Sequence, residues 1–256
     1  MSTVPMPRRV VGNGYPTSDG KPMAETDYHR DLMVALIDTL RAFYDDEEKV
    51  YVSGNLLLFY EENNRRRHVA PDVFVVRGVG NHQRDNYLLW EEKQSPRFVI
   101  ELTSSSTRKE DTTKKMALYR DVLKVREYFL FDPTSDYLKP PLKGYRRVKG
   151  EYRPIDPIEG RLPSETTGLH LERDGRSLRL WNPETKAWLP TPHERIDDAE
   201  EARQDAEKVQ QDAEKARRDA EAQVAIQSQA RQQAEAEIAR LRQVLEEAGI
   251  RMEESK

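Results

Sequence analysis

The sequence predicts an α/β body followed by a separate long C-terminal helix. Three observations carry this. First, Arg97 to Pro133 (RFVIELTSSSTRKEDTTKKMALYRDVLKVREYFLFDP) reads as strand, helix, strand. Such a unit normally closes as a right-handed parallel crossover. Second, two carboxylates interrupt the most strand-like apolar runs: Glu101 in RFVIELT and Asp72 in APDVFVV. Third, from His193 the pattern changes to a strict seven-residue period with no Pro or Gly until Gly249.

The elements follow in order. Residues 1–24 are rich in Gly and Pro and predict an irregular arm with little core of its own. Thr26 or Asp27 caps a helix running to about Tyr44, with Tyr28, Leu32, Leu36, Leu40 and Phe43 as its core stripe. Val50 to Tyr60 is strand-like with a bend or bulge at Gly54-Asn55, and EENNRRR forms a turn into a strand from His68 to Val76. The two runs are expected to pair as a hairpin. Gly78 to Pro96 is polar and loop-like, with Tyr87 to Trp90 packing on the body. In the crossover unit, Phe98, Ile100 and Leu102 point one way, and Val99, Glu101 and Thr103 the other. Ser104 to Thr107 supply the helix N-cap, Met116, Tyr119 and Leu123 recur at helical spacing, and EYFLF ends at Asp132-Pro133. Two hairpins are expected beyond it, turning at Lys149-Gly150 and Asp174-Gly175. They extend or cover the main sheet. The expected divisions are an arm (1–24), a body (25–192) and a C-terminal helix (193–256).

In that last segment DAE recurs at Asp198, Asp205, Asp212 and Asp219. Ala199, Ala206, Ala213 and Ala220 occupy one seam position, and Ala202, Val209 and Ala216 the other. This is the signature of a coiled coil, whether a homodimer or a coil with a partner helix. An alanine seam buries little area, so a solvated single helix held by i,i+4 charge pairs stays open as the alternative.

Composition narrows the class. No apolar run approaches the roughly 18 residues needed to span a bilayer, so no membrane association is expected. The first residues lack the apolar core of a secretory signal, and there are no cysteines. Disulfides and thiolate metal sites are thereby excluded, and a reducing cytoplasm is the expected compartment. The net charge of −4 hides an asymmetry: 16 acids against 10 basic residues from Asp197 onward, and 32 basic residues against 30 acids before it. The body is nearly neutral, so contact with DNA requires a local basic patch.

Two carboxylates on sheet strands suit Mg2+ or Mn2+, hard cations that prefer oxygen donors. A nearby lysine can stabilise a charged transition state. Acid, acid and lysine on a sheet are what metal-assisted phosphodiester cleavage needs. A turn-capping Asp72 and a Glu101 paired with a buried Arg remain the structural alternatives. Arg65, Arg66 and Arg67 before the Asp72 strand, and Arg108, Lys109 and Lys114 on the crossover helix, are candidate phosphate contacts or solvated surface. His29 and His68 are not spaced as a zinc site.

Taken as a set, APDVFVV around Asp72, VIELTSSST around Glu101, the spaced residues Asp111, Lys115 and Tyr119, VREYFLFDP and GNLLLFYEE resemble the Uma-two family. These are restriction-endonuclease-like proteins of the PD-(D/E)XK class. The resemblance spans about residues 22–190. It implies a mixed central sheet flanked by helices, here with a long C-terminal coiled-coil helix added, and Mg2+- or Mn2+-dependent nuclease activity. Asp72 and Glu101 match the two metal-binding acids. The lysine usual two residues after the second acid is absent, Thr103 standing there. Lys115 on the following helix matches its relocated position, although Lys114 is adjacent and Asp111 and Lys115 also form an ordinary i,i+4 pair. Glu25 is a candidate third carboxylate and Ser104 a candidate support or helix cap; Tyr119 is expected to pack.

The expected function is a Mg2+-dependent endonuclease acting on DNA, with Asp72, Glu101 and Lys115 as its catalytic set. The competing reading is a catalytically silent nuclease-fold module that binds or assembles through its C-terminal coil.

Overall fold

The computed structural model describes residues 13–18, 20 and 26–247. The chain divides into two compact units, Met1–Arg195 and Ile196–Lys256. Most of the expected arm, and Glu25, lie outside the described residues.

In the first unit, helix α1 (Asp27–Phe43) starts at Thr26, whose side chain accepts from the His29 amide. It is followed by β1 (Val50–Ser53), β2 (Leu58–Phe59), β3 (His68–Val69) and β4 (Val73–Arg77). Then come β5 (Tyr87–Leu88) and the short α2 (Leu89–Glu92), within the stretch the sequence gives to a loop. Next is β6 (Phe98–Leu102). The crossover helix α3 opens as Arg108–Glu110 and continues through two wider π-helical stretches, Asp111–Lys115 and Leu118–Val122. The unit continues with β7 (Glu127–Phe131), β8 (Leu142–Val148), β9 (Glu151–Pro154), β10 (Leu162–Pro163), β11 (His170–Asp174), β12 (Ser177–Asn182) and β13 (Ala187–Trp188).

The main sheet has six strands in the order β1-β4-β6-β7-β8-β9. Only β6 and β7 run parallel; the other pairs are antiparallel, so the sheet is mixed. The alternation in RFVIELT works as read. Phe98, Ile100 and Leu102 join α1 and strands β11 and β12 on one face, while Val99 meets Tyr119, Leu123 and Tyr128 on the other. Every residue of β6 and β7 is buried. Large apolar side chains so placed contribute about 1.5–3 kcal/mol each. Hairpin β8–β9 extends this sheet, and β10 to β13 form a second, four-stranded sheet that shares the core with α1.

The expected hairpin between residues 50–60 and 68–76 forms in two pieces. β1 pairs with β4 in the main sheet, whereas β2 pairs with β3 in a small three-stranded sheet completed by β5. The break falls at Gly54, where a Cβ would lie 1.9 Å from the Asp72 carbonyl oxygen and 2.6 Å from Ile37 Cδ1. Only glycine lets the two backbones approach this closely. Asn55 then takes a positive φ of 46°. The arm contributes more than expected: Tyr15 packs against Phe59 and Trp90.

Helix α4 (Pro192–Glu247) runs from the end of the first unit through the second. Its surface carries i,i+4 ion pairs such as Arg217–Glu221 at 2.8 Å and Arg231–Glu235 at 2.8 Å. Val209, Val224, Ile226, Ile238, Leu241 and Val244 are exposed in the single chain.

One buried acid lies far from the anomalous pair. Glu127, fully buried at the start of β7, accepts from the Ser164 hydroxyl at 2.6 Å, the Glu165 and Thr166 amides at 2.9 and 3.0 Å, and Arg146 Nε at 2.9 Å. Burial pushes its pKa up, but these donors outweigh burial and hold it below the ordinary glutamate value.

Two outcomes are expected. Gly54→Ala lowers stability by about 1–3 kcal/mol or more, read as a fall in the urea midpoint, because the Asp72 backbone must shift. Glu127→Gln costs about 3 kcal/mol at neutral pH. A depressed carboxylate pKa stabilises above its unfolded value and loses that stabilisation as pH falls through the folded value. The gap between wild type and Glu127→Gln in urea titrations therefore shrinks below pH 4.5.

Candidate active site

The antiparallel register of β4 and β6 pairs Val73 with Ile100. The ladder ends at that pair, and Asp72 and Glu101 are the next residues beyond it on the two chains. Asp72 sits just outside β4, and its Oδ2 accepts the Leu102 amide at 2.7 Å. The side chain thus takes over where the backbone ladder stops. Glu101 is one residue from the C-terminal end of β6, on the face covered by α3.

Glu101 is 1% exposed, and both of its oxygens are engaged. Oε2 receives Lys115 Nζ at 2.7 Å and Oε1 receives the Tyr119 hydroxyl at 2.5 Å. Lys115 Nζ also lies 3.0 Å from Asp111 Oδ1, whose side chain is likewise 1% exposed. The Asp111–Lys115 pair is thus not the ordinary surface pair that its spacing alone suggests. Lys114 is exposed on the outer side of α3. Of the two adjacent lysines, it is Lys115 that meets the acids.

The π-helical stretches explain how one helix reaches so far. Asp111, Lys115, Tyr119 and Leu123 are spaced by four residues. In an α-helix each such step drifts about 40° around the axis, so the row would spiral away from the sheet. Widened turns hold an extra residue and keep the row facing inward.

The electrostatics are lopsided. Three carboxylates, Asp72, Glu101 and Asp111, share one ammonium group. Burial raises the Glu101 pKa well above its usual value; Lys115 opposes the shift, but the charges of Asp72 and Asp111 add to it. Asp111 is also raised, chiefly by burial. Asp72 is lowered: burial works against ionisation, but His29, Lys115 and the Leu102 amide outweigh it. Burial alone would lower the Lys115 pKa, but the three carboxylates raise it, so Lys115 is a fixed cation.

Besides Asp111, two further residues join the cluster beyond the site residues expected from the sequence. His29 Nε2, in the first turn of α1, lies 3.5 Å from Asp72 Oδ2. Tyr119, expected only to pack, packs and also donates to Glu101. Ser104 and Thr107 are mutually hydrogen-bonded at the start of α3, the Thr107 amide donating to Ser104 Oγ at 3.2 Å. That is the capping arrangement. Thr103 is buried, and its hydroxyl makes no hydrogen bond among the described residues. Among the basic candidates, Arg65, Arg66, Arg108 and Lys109 are exposed, and Arg67 pairs with Glu61 at 3.1 Å.

With this geometry in hand, comparison with known proteins decides the family. The family model Uma2, described as "Putative restriction endonuclease", matches residues 15–181. The chain belongs to the Uma2 family. Its match covers α1 through most of β12 and so includes every acid of the cluster. Among solved structures, the Uma2 chain is similar to one titled "Crystal structure of a putative nuclease belonging to DUF820 from Anabaena variabilis". The two share 18% identity over 61% of this chain and 85% of that one, with a TM-score of 0.42. No curated protein matches. No helix among the described residues is long and apolar enough to cross a membrane.

The buried pair generates its own expectation. Lys115→Met, which strands Glu101 and Asp111 without a cation, costs about 3–5 kcal/mol in urea unfolding. Adding Glu101→Gln to that variant restores part of the loss, because one uncompensated charge is gone. Equal stability of the single and double variants would contradict the pairing.

Proposed function

We propose that this Uma2 protein is a divalent-metal-dependent endonuclease that hydrolyses DNA phosphodiester bonds at the Asp72–Glu101–Lys115 cluster. The observation that carries the reading is the convergence of these residues from two neighbouring strands and the crossover helix. Membership of a family described as "Putative restriction endonuclease" supports the substrate class.

The donor set fits a hard cation. All candidate ligands are carboxylate oxygens, and three carboxylates against one lysine leave negative charge uncompensated. Among the described residues no group of three or more His, Asp or Glu side chains is arranged to hold an ion by itself. Two carboxylates, Asp72 and Glu101, completed by waters and a phosphate oxygen, is the usual manner of Mg2+ binding. Bound there, the ion would supply an activated water and offset charge on the phosphoryl oxygens.

The chain's own residues take distinct parts. Lys115, held as a cation by carboxylates at 2.7 and 3.0 Å, is an electrostatic group and not a base. It can leave Glu101 for a phosphoryl oxygen while Asp111 continues to hold it. The Leu102 amide and His29 fix the Asp72 carboxylate, and Tyr119 fixes Glu101. Arg108, Lys109 and Lys114 are exposed along α3 and are the proposed contacts to the DNA backbone. The heptad segment of α4 pairs two copies or binds a partner helix, and lies outside the chemistry.

The test is plasmid nicking with Mg2+ and with Mn2+. Asp72→Asn and Glu101→Gln abolish cleavage and weaken metal binding measured by calorimetry. Lys115→Ala lowers the rate at least about 100-fold while metal affinity holds or rises, since a neighbouring positive charge is removed. Lys114→Ala stays within a few-fold of wild type. If wild type and Lys115→Ala nick alike, or neither nicks any substrate, the catalytically silent module replaces the nuclease.

A further inference from the structure

At the end of the sheet remote from the acids lies a pocket of about 580 Å3, lined by Arg77, Arg97, Arg126, Glu165, Thr166 and Gly168 among others. Arg77 ends β4, five residues beyond Asp72, and the strand separates the two by roughly 17 Å. Arg97 and Arg126 immediately precede β6 and β7. The sheet therefore gathers three guanidinium groups at one end, just as it gathers carboxylates at the other.

The pocket's charges do not cancel. Glu165, the one acid among the described lining residues, is shared: it pairs with Arg126 at 2.5 Å and with Arg146 at 2.8 Å. Arg77 is held in place by the Thr166 carbonyl at 3.2 Å, Glu47 at 3.3 Å and the Tyr44 hydroxyl at 3.3 Å. Arg97 is exposed, and its side chain has no partner among the described residues. The wall opposite is rigid, because buried Glu127 pins the Ser164 hydroxyl and the Glu165 and Thr166 amides. In that wall the Thr166 hydroxyl is shielded from solvent and makes no hydrogen bond among the described residues. Gly168 takes a φ of +75°, and a Cβ there would meet nothing within 4 Å, so the space before it is open.

We propose that this pocket is a phosphate-binding site. Glu47 offsets Arg77 and Glu165 offsets Arg126, so the positive charge of Arg97 is left to meet a phosphate oxygen. Guanidinium forks match phosphate oxygens two at a time, which an unpaired Arg97 is free to do. The volume admits a small molecule carrying the phosphate. A nucleic-acid backbone presents the same group.

Calorimetry on the full chain tests the site without reference to cleavage, using pyrophosphate and, separately, a short DNA duplex as probes. Arg97→Ala removes a side chain with no internal partner and leaves the fold in place. It weakens pyrophosphate binding at least about tenfold, and Arg97→Lys weakens it less. Lys186→Ala, in the exposed turn between β12 and β13, leaves pyrophosphate binding unchanged. Loss confined to the duplex assigns the phosphate to the DNA backbone; loss with pyrophosphate assigns it to a small ligand. The proposal is overturned if pyrophosphate and duplex each bind wild type and Arg97→Ala equally, or if neither binds at about 1 mM.

Discussion

A single ammonium group, Lys115 Nζ, stands between two carboxylates shielded almost completely from water, with a third close enough to shift its pKa. Isolated charges in such surroundings are costly, and a buried pair is tolerated only when its remaining oxygens are satisfied. Much of the local structure serves that requirement. Tyr119 takes the free oxygen of Glu101, the Leu102 amide takes Asp72, and α3 widens twice to keep Asp111, Lys115 and Tyr119 on one side. The same shortage of positive charge that burdens the folded protein is what the proposed divalent cation would relieve.

Much of this was legible from residue order. Glu101 and Asp72 stand out because each breaks an apolar strand, and the alternation in RFVIELT fixes which face Glu101 takes. The parallel crossover and both later hairpins follow from local pattern. What was not legible depends on register and long-range approach. That Asp72 comes to the same end of the sheet as Glu101 follows from the Val73–Ile100 pairing, set by strands far apart in the chain. His29 carries no metal spacing; its signal is only that it lies beside Leu32, Met33 and Leu36 on the buried side of α1. Tyr119 looks like a core residue because it is one, and its hydroxyl finds Glu101 only once the helix is widened. The division of the 50–60 run into two sheets turns on one close backbone contact at Gly54.

The sheet is also electrically polarised along its strands. Acids outnumber cations where β4 begins and β6 ends, whereas guanidiniums paired largely with Glu47, Glu127 and Glu165 gather where β4 ends and β6 and β7 begin. Both ends depend on Glu101 and Glu127, acids of adjacent strands that each sit on an internal donor network. The two networks are separate, so each can be altered without dismantling the other.

Helix α4 has a different physical character. Fifty-six residues at 1.5 Å each span about 84 Å, with ion pairs one turn apart as the main side-chain support beyond the first unit. Such pairs contribute only about 0.2–0.5 kcal/mol each and weaken with salt. In a lone chain its backbone amides therefore exchange with solvent deuterium through local fraying, not through opening of the sheet, and far sooner than those of β6 and β7. Slow exchange confined to the heptads would be the direct signature of a second helix lying against it.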